Sequence, residues 1–536
     1  MPAPGALSPP VAPPEAAGAL EPAGPYEYLA PLAAIVSLLA YCVITSNRPF
    51  WFDELLTYIC VTDPSLSHAV HALGDHVGGG QPPFFVLGWF WVRLFGVSPL
   101  ALRLLSGLPI CLAFWLLWRL LRRRCGFWPA TLATAASFDL SLLVQFQMGE
   151  ARFYGLFLAC AALAIWHFDR FLRDDRPPAW LLATNCATHG MLVLIHVYGF
   201  TYSGVLILAQ VASDLVRRRF RLSVYASALI GWLAFVPWLE AARHQAELHD
   251  PWSWIPVPNL NALLVNFAPG GLFAHPLVML LLVLTVILTG YRRRTAAAPG
   301  KTAAAPEIVP SYVILGVLVV VVPPTFGWAL SQVIQPVFLE RYFIPATAGW
   351  AVLAALGLQV LLDWPSGTAV ETARQAFISR ALCVGLFGVI CSNPIVTALN
   401  EPALPRPVLA DDPLRTPVVV EHLFDYLPLR FYNPANTERL YFVLDWEAAL
   451  NAQQGIKGAT GDYKIAQGLS RNYPEFKASI VTTSEFLGKF DRFLVMPWKG
   501  SQWLQMRCPD HDYRYSRTNE GMILVERRHT LKPATD

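Results

Sequence analysis

The sequence predicts an all-α polytopic membrane bundle of about eleven transmembrane helices, with interfacial helices in its first outer loop, followed by a soluble α/β domain. Of the 536 residues, 55% are hydrophobic and only 14% are charged, whereas a soluble domain is usually about 25% charged. Apolar runs long enough to cross a bilayer recur from residue 29 to residue 396. Beyond that point the composition changes, and nearly all of the Lys residues lie there.

Three segments are expected: a disordered tail at residues 1–28, the bundle at residues 29–396 and an extracytoplasmic α/β domain at residues 397–536. The tail is rich in Pro, Ala and Gly and has no Lys or Arg, so it does not read as a signal peptide. The predicted membrane helices are Leu29–Thr45, Leu100–Leu121, Phe127–Phe146, Phe153–Phe171, Trp180–His196, Tyr198–Val216, Leu222–Leu239, Pro276–Tyr291, Tyr312–Ile334, Phe343–Leu362 and Ala381–Val396.

Shorter elements complete the prediction. The apolar run Pro82–Phe95 is too short to span, so it is expected to be interfacial or re-entrant within a first outer loop at residues 46–99. In the C-terminal domain Glu485–Lys489 is expected in a helix. The predicted strands are Val418–Val420, Arg439–Leu444, Arg492–Met496 and Met522–Glu526.

Loop charge predicts the orientation. The Arg triplets at residues 122–124, 217–219 and 292–294 all fall on the side of the N-terminus. Because cytoplasmic loops collect Lys and Arg, the N-terminus is expected to be cytoplasmic, and an odd number of helices then places the C-terminal domain outside. The expected location is the plasma membrane, the inner membrane of a bacterium. The net charge of +3 and the lack of a basic stripe argue against a nucleic-acid partner.

Two adjacent carboxylates, Asp53 and Glu54, follow the first predicted membrane helix, just after three residues that include two Phe and one Trp. Consecutive helical residues do not share a face, so one acid can enter a cavity while the other binds elsewhere. A carboxylate at a dehydrated membrane edge has a raised pKa, which suits a general base. In the alternative interpretation both acids simply stand at a helix N-terminus, where the helix dipole favours them.

Two further outer loops carry candidate binding residues. Glu150 and Arg152 lie two residues apart before the fourth predicted helix, where they could bind a sugar or a phosphate, or form only a local ion pair. Arg341 is the only basic residue of the loop between the ninth and tenth predicted helices. A guanidinium at headgroup level can hold a lipid phosphate through two hydrogen bonds. Snorkelling from a helix end is the alternative.

Several polar residues have less specific patterns. His189 and His196 share one face of the fifth predicted helix and could line a cavity or make interhelical hydrogen bonds. Asp139 lies within the third predicted helix, so it should face the bundle interior. A weak metal-like cluster occurs in the first outer loop, and its members are His68, His71, Asp75 and His76.

Short motifs occur in a fixed order along the bundle: Phe52-Asp53-Glu54, Gln81-Pro82-Pro83, Ala101-Leu102-Arg103-Leu104-Leu105-Ser106, Glu150-Ala151-Arg152-Phe153-Tyr154, and Arg341-Tyr342 with Pro345. Together they resemble the GT-C membrane glycosyltransferases. These include protein O-mannosyltransferases, the aminoarabinose transferase that acts on lipid A, and bacterial transferases of lipopolysaccharide-core sugars. The stretch from Pro417 to Val420 is similar to the outer domain of some bacterial members.

The resemblance implies transfer of a sugar from a polyprenyl-phosphate-linked donor to a hydroxyl of a glycolipid, polysaccharide or protein on the outer face, with inversion. Asp53 is then the expected base and Glu54 its orienting neighbour or an alternate base. No metal ligands are assigned, although a divalent metal, Mg or Mn, is possible. The expected substrate-binding residues are Glu150, Arg152, Tyr154, Arg341, Tyr342 and His196.

Two other functions fit part of the pattern. A transporter or flippase of a lipid-linked glycan would share the polytopic bundle and the charged outer cavity. Transporters usually have inverted repeats and helices broken at the midplane, and the sequence shows no such repeat. The outer α/β domain could also be a partner-binding module on an inactive bundle. The presence of Asp53, Glu150 and Arg341 argues against this alternative.

Overall fold

The structure is a computed structural model of the chain. It describes residues 24–78, 80–245, 253–267, 309–362, 369–410, 412–451, 458–497, 502–518 and 521–528. The helices of the membrane part are α1 Leu29–Thr45, α2 Phe52–Thr62, α3 Leu66–Gly74, α4 Pro82–Phe95, α5 Pro99–Arg122, α6 Phe127–Asp139, α7 Leu142–Met148, α8 Tyr154–Arg173, α9 Ala179–Ile195, α10 Tyr198–Val216, α11 Leu222–Gly231, α12 Leu239–Gln245, α13 Leu260–Asn266, α14 Val309–Val333, α15 Ala346–Leu362 and α16 Ala369–Asn400.

The chain is a multi-pass membrane protein, as predicted. By length and composition, seven helical stretches of the described residues can cross a membrane, and the bent pair α6 and α7 makes eight. The helices α4, α9 and α15 are apolar but shorter. The predicted helix Pro276–Tyr291 lies outside the described residues.

Two predicted spans are interrupted. The predicted helix Phe127–Phe146 is broken between α6 and α7, whose axes differ by 65°, and the hydroxyl of Ser141 caps α7 by accepting from the amide of Val144. The predicted helix Leu222–Leu239 continues only to Gly231 as an α-helix and then tightens into a 3-10 stretch that contains Pro237. Pro lacks an amide hydrogen and clashes with the preceding turn, which explains the change.

Close helix contacts place the loops that carry the candidate residues. Gly155, in the first turn of α8, lies so near α5 that a Cβ atom there would overlap the carbonyl of Ser106. Gly88 of α4 packs similarly, and an added Cβ would lie 2.7 Å from a methyl carbon of Val61 in α2. These glycines let α8 approach α5 and α4 approach α2.

The C-terminal domain contains a six-stranded sheet in the order β3-β2-β1-β4-β6-β5. The first four strands in this order are parallel, whereas β6 runs antiparallel to β4 and β5. The strands are β1 Val418–Val420, β2 Leu440–Leu444, β3 Ile480–Thr482, β4 Arg492–Met496, β5 Tyr513–Arg517 and β6 Ile523–Arg527. The helices are α17 Leu423–Tyr432, α18 Trp446–Ala449, α19 Ala459–Asn472, α20 Pro474–Lys477, α21 Thr483–Lys489 and α22 Gln502–Arg507.

Strand prediction succeeded where apolar residues dominate. β1 and β4 have the predicted bounds, β2 and β6 begin one residue later than predicted, and α21 includes the predicted helical residues. β3 and β5 were missed. β3 has only three residues and ends at the capping residue Thr482, while β5 alternates Tyr with Arg and Ser and therefore has a polar sequence.

The C-terminal domain docks on the loop that follows α1. The ring of Phe424 in α17 stacks on that of Phe52 in α2, with centroids 4.0 Å apart. The amide of Phe50 donates to the hydroxyl of Tyr432 at 2.6 Å. On α19 the approach is closer still, because a Cβ at Gly468 would overlap the backbone carbonyl of Asp75. The domain therefore lies on the same side of the bundle as the adjacent acids.

Candidate active site

Glu54 is a buried residue whose hydrogen bonds connect three parts of the chain. Its Oε1 and Oε2 atoms accept from Nε and Nη2 of Arg103, each at 2.9 Å, and the two side chains are 1% and 2% exposed. Oε1 also accepts from the amide of Ala151 at 3.0 Å, and Oε2 from that of Trp51 at 3.3 Å. Glu54 thus joins the start of α2 to α5 and to the loop before α8, and both of its oxygens are occupied by these contacts.

Arg103 completes this junction, and it is a residue to which the sequence analysis assigned no role beyond its place in a motif. Its Nη1 atom donates to the carbonyls of Thr45 at 3.0 Å and Arg48 at 3.2 Å, and its Nη2 atom to that of Pro49 at 3.3 Å. These carbonyls end α1 and form the turn that leads to α2. A cation at the start of a membrane helix was the only available signal, and it did not indicate the partner.

Asp53 is oriented differently from Glu54. Its Oδ2 atom lies 3.4 Å from Nη1 of Arg341 and 3.7 Å from Nη2 of Arg152, and its side chain is 14% exposed. The structure therefore brings together one carboxylate and two guanidiniums from three separate loops. The Asp53 side chain is thus partly exposed beside two cations, while the neighbouring Glu54 is buried.

Arg152 is held by the fold as well as by Asp53. Its backbone amide donates to the hydroxyl of Ser106 at 2.9 Å, and its Nη1 atom donates to the backbone carbonyls of Asp53 and Gly78, each at 3.2 Å. Gly78 has a φ of +104°, and a Cβ there would lie 2.6 Å from a methyl carbon of Leu73. Only glycine suits this position, which presents the carbonyl to Arg152.

Arg341 stands on a 3-10 turn, Glu340–Phe343, at the opposite wall. Its guanidinium carbon lies 5.8 Å from the ring centre of Tyr154 and 5.6 Å from that of Trp254. Its Nε atom is buried and has no hydrogen-bond partner among the described residues. Burial opposes the charge, but Tyr154 and Asp53 outweigh it and raise the pKa of Arg341. Arg341 therefore stays positively charged, and its Nε–H donor has no acceptor among the described residues.

Glu150 is buried beside this group. It is 5% exposed, and its Oε2 atom accepts from Nε2 of Gln147 at 3.3 Å. Burial, reinforced by the carboxylates of Glu54 and Asp53, raises the pKa of Glu150 to about 8. At pH 7 the carboxyl is mostly protonated and can donate a hydrogen bond.

Three neighbouring aromatic rings, those of His196, Tyr342 and Tyr154, pack beside the charged residues. The ring of His196 is 4.5 Å from that of Tyr342, whose ring is in turn 6.3 Å from that of Tyr154 at an interplanar angle of 27°. Burial, with Arg341 and Arg152 nearby, lowers the pKa of His196 to about 3, so the ring stays neutral. Nδ1 of His196 accepts from the amide of Tyr198 at 3.2 Å.

The remaining predicted polar residues lie elsewhere. His189 bonds to Ser203 of α10, with Nδ1 2.6 Å from Oγ, which fits the interpretation as an interhelical partner. Asp139 is fully buried at the break between α6 and α7. His68 is 2.5 Å from Asp63, His71 is exposed, and Asp75 pairs with Arg471.

The four residues of the metal-like cluster therefore do not converge. A different trio, Asp75, His76 and His244, places one ligand atom each within 4.8 Å of the others. Both oxygens of Asp75 already accept from Arg471, and Oδ2 also accepts from Asn472. A divalent cation at Asp53 would need several free oxygen ligands. The oxygens of Glu54 are occupied by hydrogen bonds, and Oδ2 of Asp53 faces two guanidiniums, so these two residues do not fit such a cation.

Comparison with known proteins agrees with this architecture. Residues 80–240 match the family model described as dolichyl-phosphate-mannose-protein mannosyltransferase. The crystal structure of ArnT from Cupriavidus metallidurans bound to undecaprenyl phosphate matches with a TM-score of 0.52 at 13% identity, covering 95% of this chain and 99% of that one. Its apo form matches with a TM-score of 0.53 at 13% identity, over 94% and 98%.

The chain has the fold of the ArnT structures, and residues 80–240 match a mannosyltransferase family model. The predicted fold is thereby confirmed. The archaeal oligosaccharyltransferase AglB from Archaeoglobus fulgidus, in complex with an inhibitory peptide and a dolichol-phosphate, matches less closely, with a TM-score of 0.47 at 11% identity over 95% of this chain and 75% of that one. No curated protein matches the sequence. In this chain the loops after α1, α7 and α9 and the turn before α15 meet on one side of the bundle.

Proposed function

We propose that the chain is a glycosyltransferase of the GT-C type that transfers a sugar from a polyprenyl-phosphate-linked donor to an acceptor hydroxyl on the outer face of the membrane, with inversion. The observation that supports it most is the meeting of Asp53 with Arg341 and Arg152. One group can accept a proton and the other two can hold a phosphate, and both are needed to displace a lipid phosphate from a sugar. The ArnT structure of the same fold has undecaprenyl phosphate bound.

In the proposed reaction, Asp53 accepts the proton of the acceptor hydroxyl as the hydroxyl oxygen attacks the anomeric carbon. The bond from that carbon to the phosphate oxygen breaks, and its electron pair stays on the phosphate. Arg341, whose Nε atom is an unused donor, and Arg152 stabilise the negative charge on the departing phosphate. A single displacement from the opposite face inverts the anomeric configuration.

The residues around this group have supporting roles in the proposal. Glu150, protonated at neutral pH, donates a hydrogen bond to a sugar hydroxyl. Tyr154, Tyr342 and the neutral His196 form the surface on which the sugar or the first prenyl unit rests. Because the two guanidiniums supply the positive charge, we propose that Mg or Mn is not required for transfer.

Sidedness and acceptor are also proposals. The Arg-rich loops after α5, α8 and α10 follow the ends of these helices opposite the candidate site. Because cytoplasmic loops collect Arg, this pattern supports the proposal that the site and the C-terminal domain lie outside. The acceptor is a glycolipid, a polysaccharide or a protein that presents a hydroxyl at that surface.

The test uses the full chain in proteoliposomes with a panel of undecaprenyl-phosphate-linked sugars and with glycolipid, polysaccharide and protein acceptors that present a hydroxyl. Release of undecaprenyl phosphate is followed by mass spectrometry. Asp53→Asn should abolish release, whereas Asp491→Asn, at an exposed acid in the C-terminal domain, should behave as the wild type. Full activity of Asp53→Asn would make the base assignment wrong. Nucleotide-linked sugars should give no product, and the anomeric configuration of the product, read by NMR, decides between inversion and retention.

A further inference from the structure

A cavity whose lining does not include Asp53 lies beside α2. It has a volume of about 500 Å³ and is lined by the turn after α1, the start of α5 and the end of α17, together with Arg406. Phe50, which precedes α2, and Tyr58, on a face of α2 that does not carry Asp53, also line it. A space of this size accommodates a small ligand.

The cavity wall is positively charged. Two arginines line it, Arg48 and Arg406, and no carboxylate does. Arg48 is ion-paired with Glu401 at the end of α16. Arg406 is exposed, lies 5.8 Å from the ring centre of Tyr432, and has no carboxylate within ion-pair distance in the described part of the chain. The cavity therefore presents one uncompensated guanidinium, which suits an anionic group.

The cavity lies at the ends of two helices that can span the membrane. The helices α1 and α5 are membrane spans whose outer ends border it, and α16 ends six residues before Arg406. Exposed apolar side chains stand on both sides of Arg406, with Leu404 at 55% and Val408 at 77% exposure. Val97, at the rim, is 41% exposed. A cation between exposed apolar residues, with Tyr rings beside it, is the pattern of a headgroup-level site.

We propose that this cavity binds the phosphate headgroup of an anionic phospholipid, and that the bound lipid helps to seat the C-terminal domain on the bundle. Arg406 contacts the phosphate, and Leu404 and Val408 enter the acyl region. The end of α17 reaches the same cavity through Tyr432, whose hydroxyl accepts from the amide of Phe50. The site is separate from the sugar-transfer group, so the inference does not rest on the proposed function.

The test titrates the detergent-purified full chain with water-soluble dihexanoyl lipids and follows thermal unfolding. Dihexanoyl-phosphatidylglycerol should raise the unfolding temperature saturably, and dihexanoyl-phosphatidylcholine should not. Arg406→Gln should weaken the apparent affinity about fivefold, the effect of one basic residue near an anionic lipid surface. Arg406→Lys keeps the charge and should retain most of the affinity. If the Gln variant does not fold, the Lys variant still provides a test of the site.

Arg492→Gln is the matched control, since Arg492 is also exposed but lies on β4 and pairs with Glu526. It should bind phosphatidylglycerol as the wild type does. Equal shifts with both lipids, or equal losses in Arg406→Gln and Arg492→Gln, would overturn the proposal. Inorganic phosphate at the same concentrations should have no effect, and a saturable shift with phosphate alone would identify a soluble anion as the ligand instead of a lipid.

Discussion

Glu54 and Arg103 form a buried ion pair with two parallel hydrogen bonds of 2.9 Å across 49 residues of sequence. The pair fixes the first turn of α2 against α5, and through Ala151 it also fixes the loop that carries Glu150 and Arg152. The orientation of Asp53 toward the guanidiniums depends on this junction, because Asp53 is the preceding residue of the same turn. One acid of the adjacent pair thus holds the helix while the other faces the cations.

Removal of one partner of this ion pair should destabilise the protein strongly. Arg103→Ala leaves a buried carboxylate without its cation, which typically costs about 3–5 kcal/mol in free energy of unfolding. Glu438→Ala, which breaks the exposed pair between Arg415 and Glu438, should change stability by less than about 1 kcal/mol. Thermal unfolding in detergent measures both. Equal and small effects of the two variants would show that the buried pair does not hold the junction.

Arg341 should matter for holding phosphate more than for folding. Arg341→Ala removes the buried Nε donor and the cation beside Asp53, so we expect a loss in transfer rate of about 100-fold or more. Arg341→Lys keeps a charge but not the planar fork and should recover only part of the rate. Binding of undecaprenyl phosphate, followed by native mass spectrometry, should weaken in the same order. Unchanged binding in Arg341→Ala would place the phosphate elsewhere.

The raised pKa of Glu150 predicts a decline in activity at alkaline pH. If the protonated carboxyl donates to the substrate, transfer should fall as pH rises through about 8, where Glu150 loses its proton. Glu150→Gln keeps a donor at every pH and should abolish this limb of the profile while leaving substantial activity at pH 7. A pH–rate profile of both proteins is the measurement, and an identical alkaline limb in the Gln variant contradicts the assignment.

The same shift predicts how stability depends on pH. The folded pKa of about 8 lies above the ordinary value of 4.5, so between these values the unfolded chain has lost its proton while the folded chain retains it. The contribution of Glu150 to stability therefore decreases as pH rises from about 4.5 to about 8 and is constant outside that window. Unfolding temperatures of the wild type should fall relative to those of Glu150→Gln across this range. A constant difference would mean that Glu150 is not buried in its neutral form.

The lengths and composition of the apolar runs predicted much of the fold. Helices α1, α4 and α10 have the predicted bounds because an apolar run between polar residues has little freedom in where it begins and ends. The break after Asp139 was not predicted, since a bent pair of helices has the same composition as a straight one. Boundaries of this kind depend on local capping, here by Ser141.

The candidate site was predictable as a set of residues but not as an arrangement. The sequence could indicate that Asp53, Arg152 and Arg341 lie on one side of the membrane, because loop position follows from helix count. It could not indicate that Arg103 binds Glu54, nor that Trp254 lies beside Arg341. Such pairings join segments far apart in sequence, and helix packing alone decides them.

Docking of the C-terminal domain should depend on Gly468. A Cβ at this position of α19 would overlap the carbonyl of Asp75, and the ion pair between Asp75 and Arg471 lies beside it. Gly468→Val should therefore separate α19 from α3 and raise deuterium uptake on both helices, while strands β1 and β4 stay protected. Gly488→Val in α21 is the matched control, because no atom lies within 4 Å of a Cβ added there. Wild-type uptake at α3 in Gly468→Val would show that the two helices are not in contact, and loss of protection in β1 would show that the domain unfolds without its docking surface.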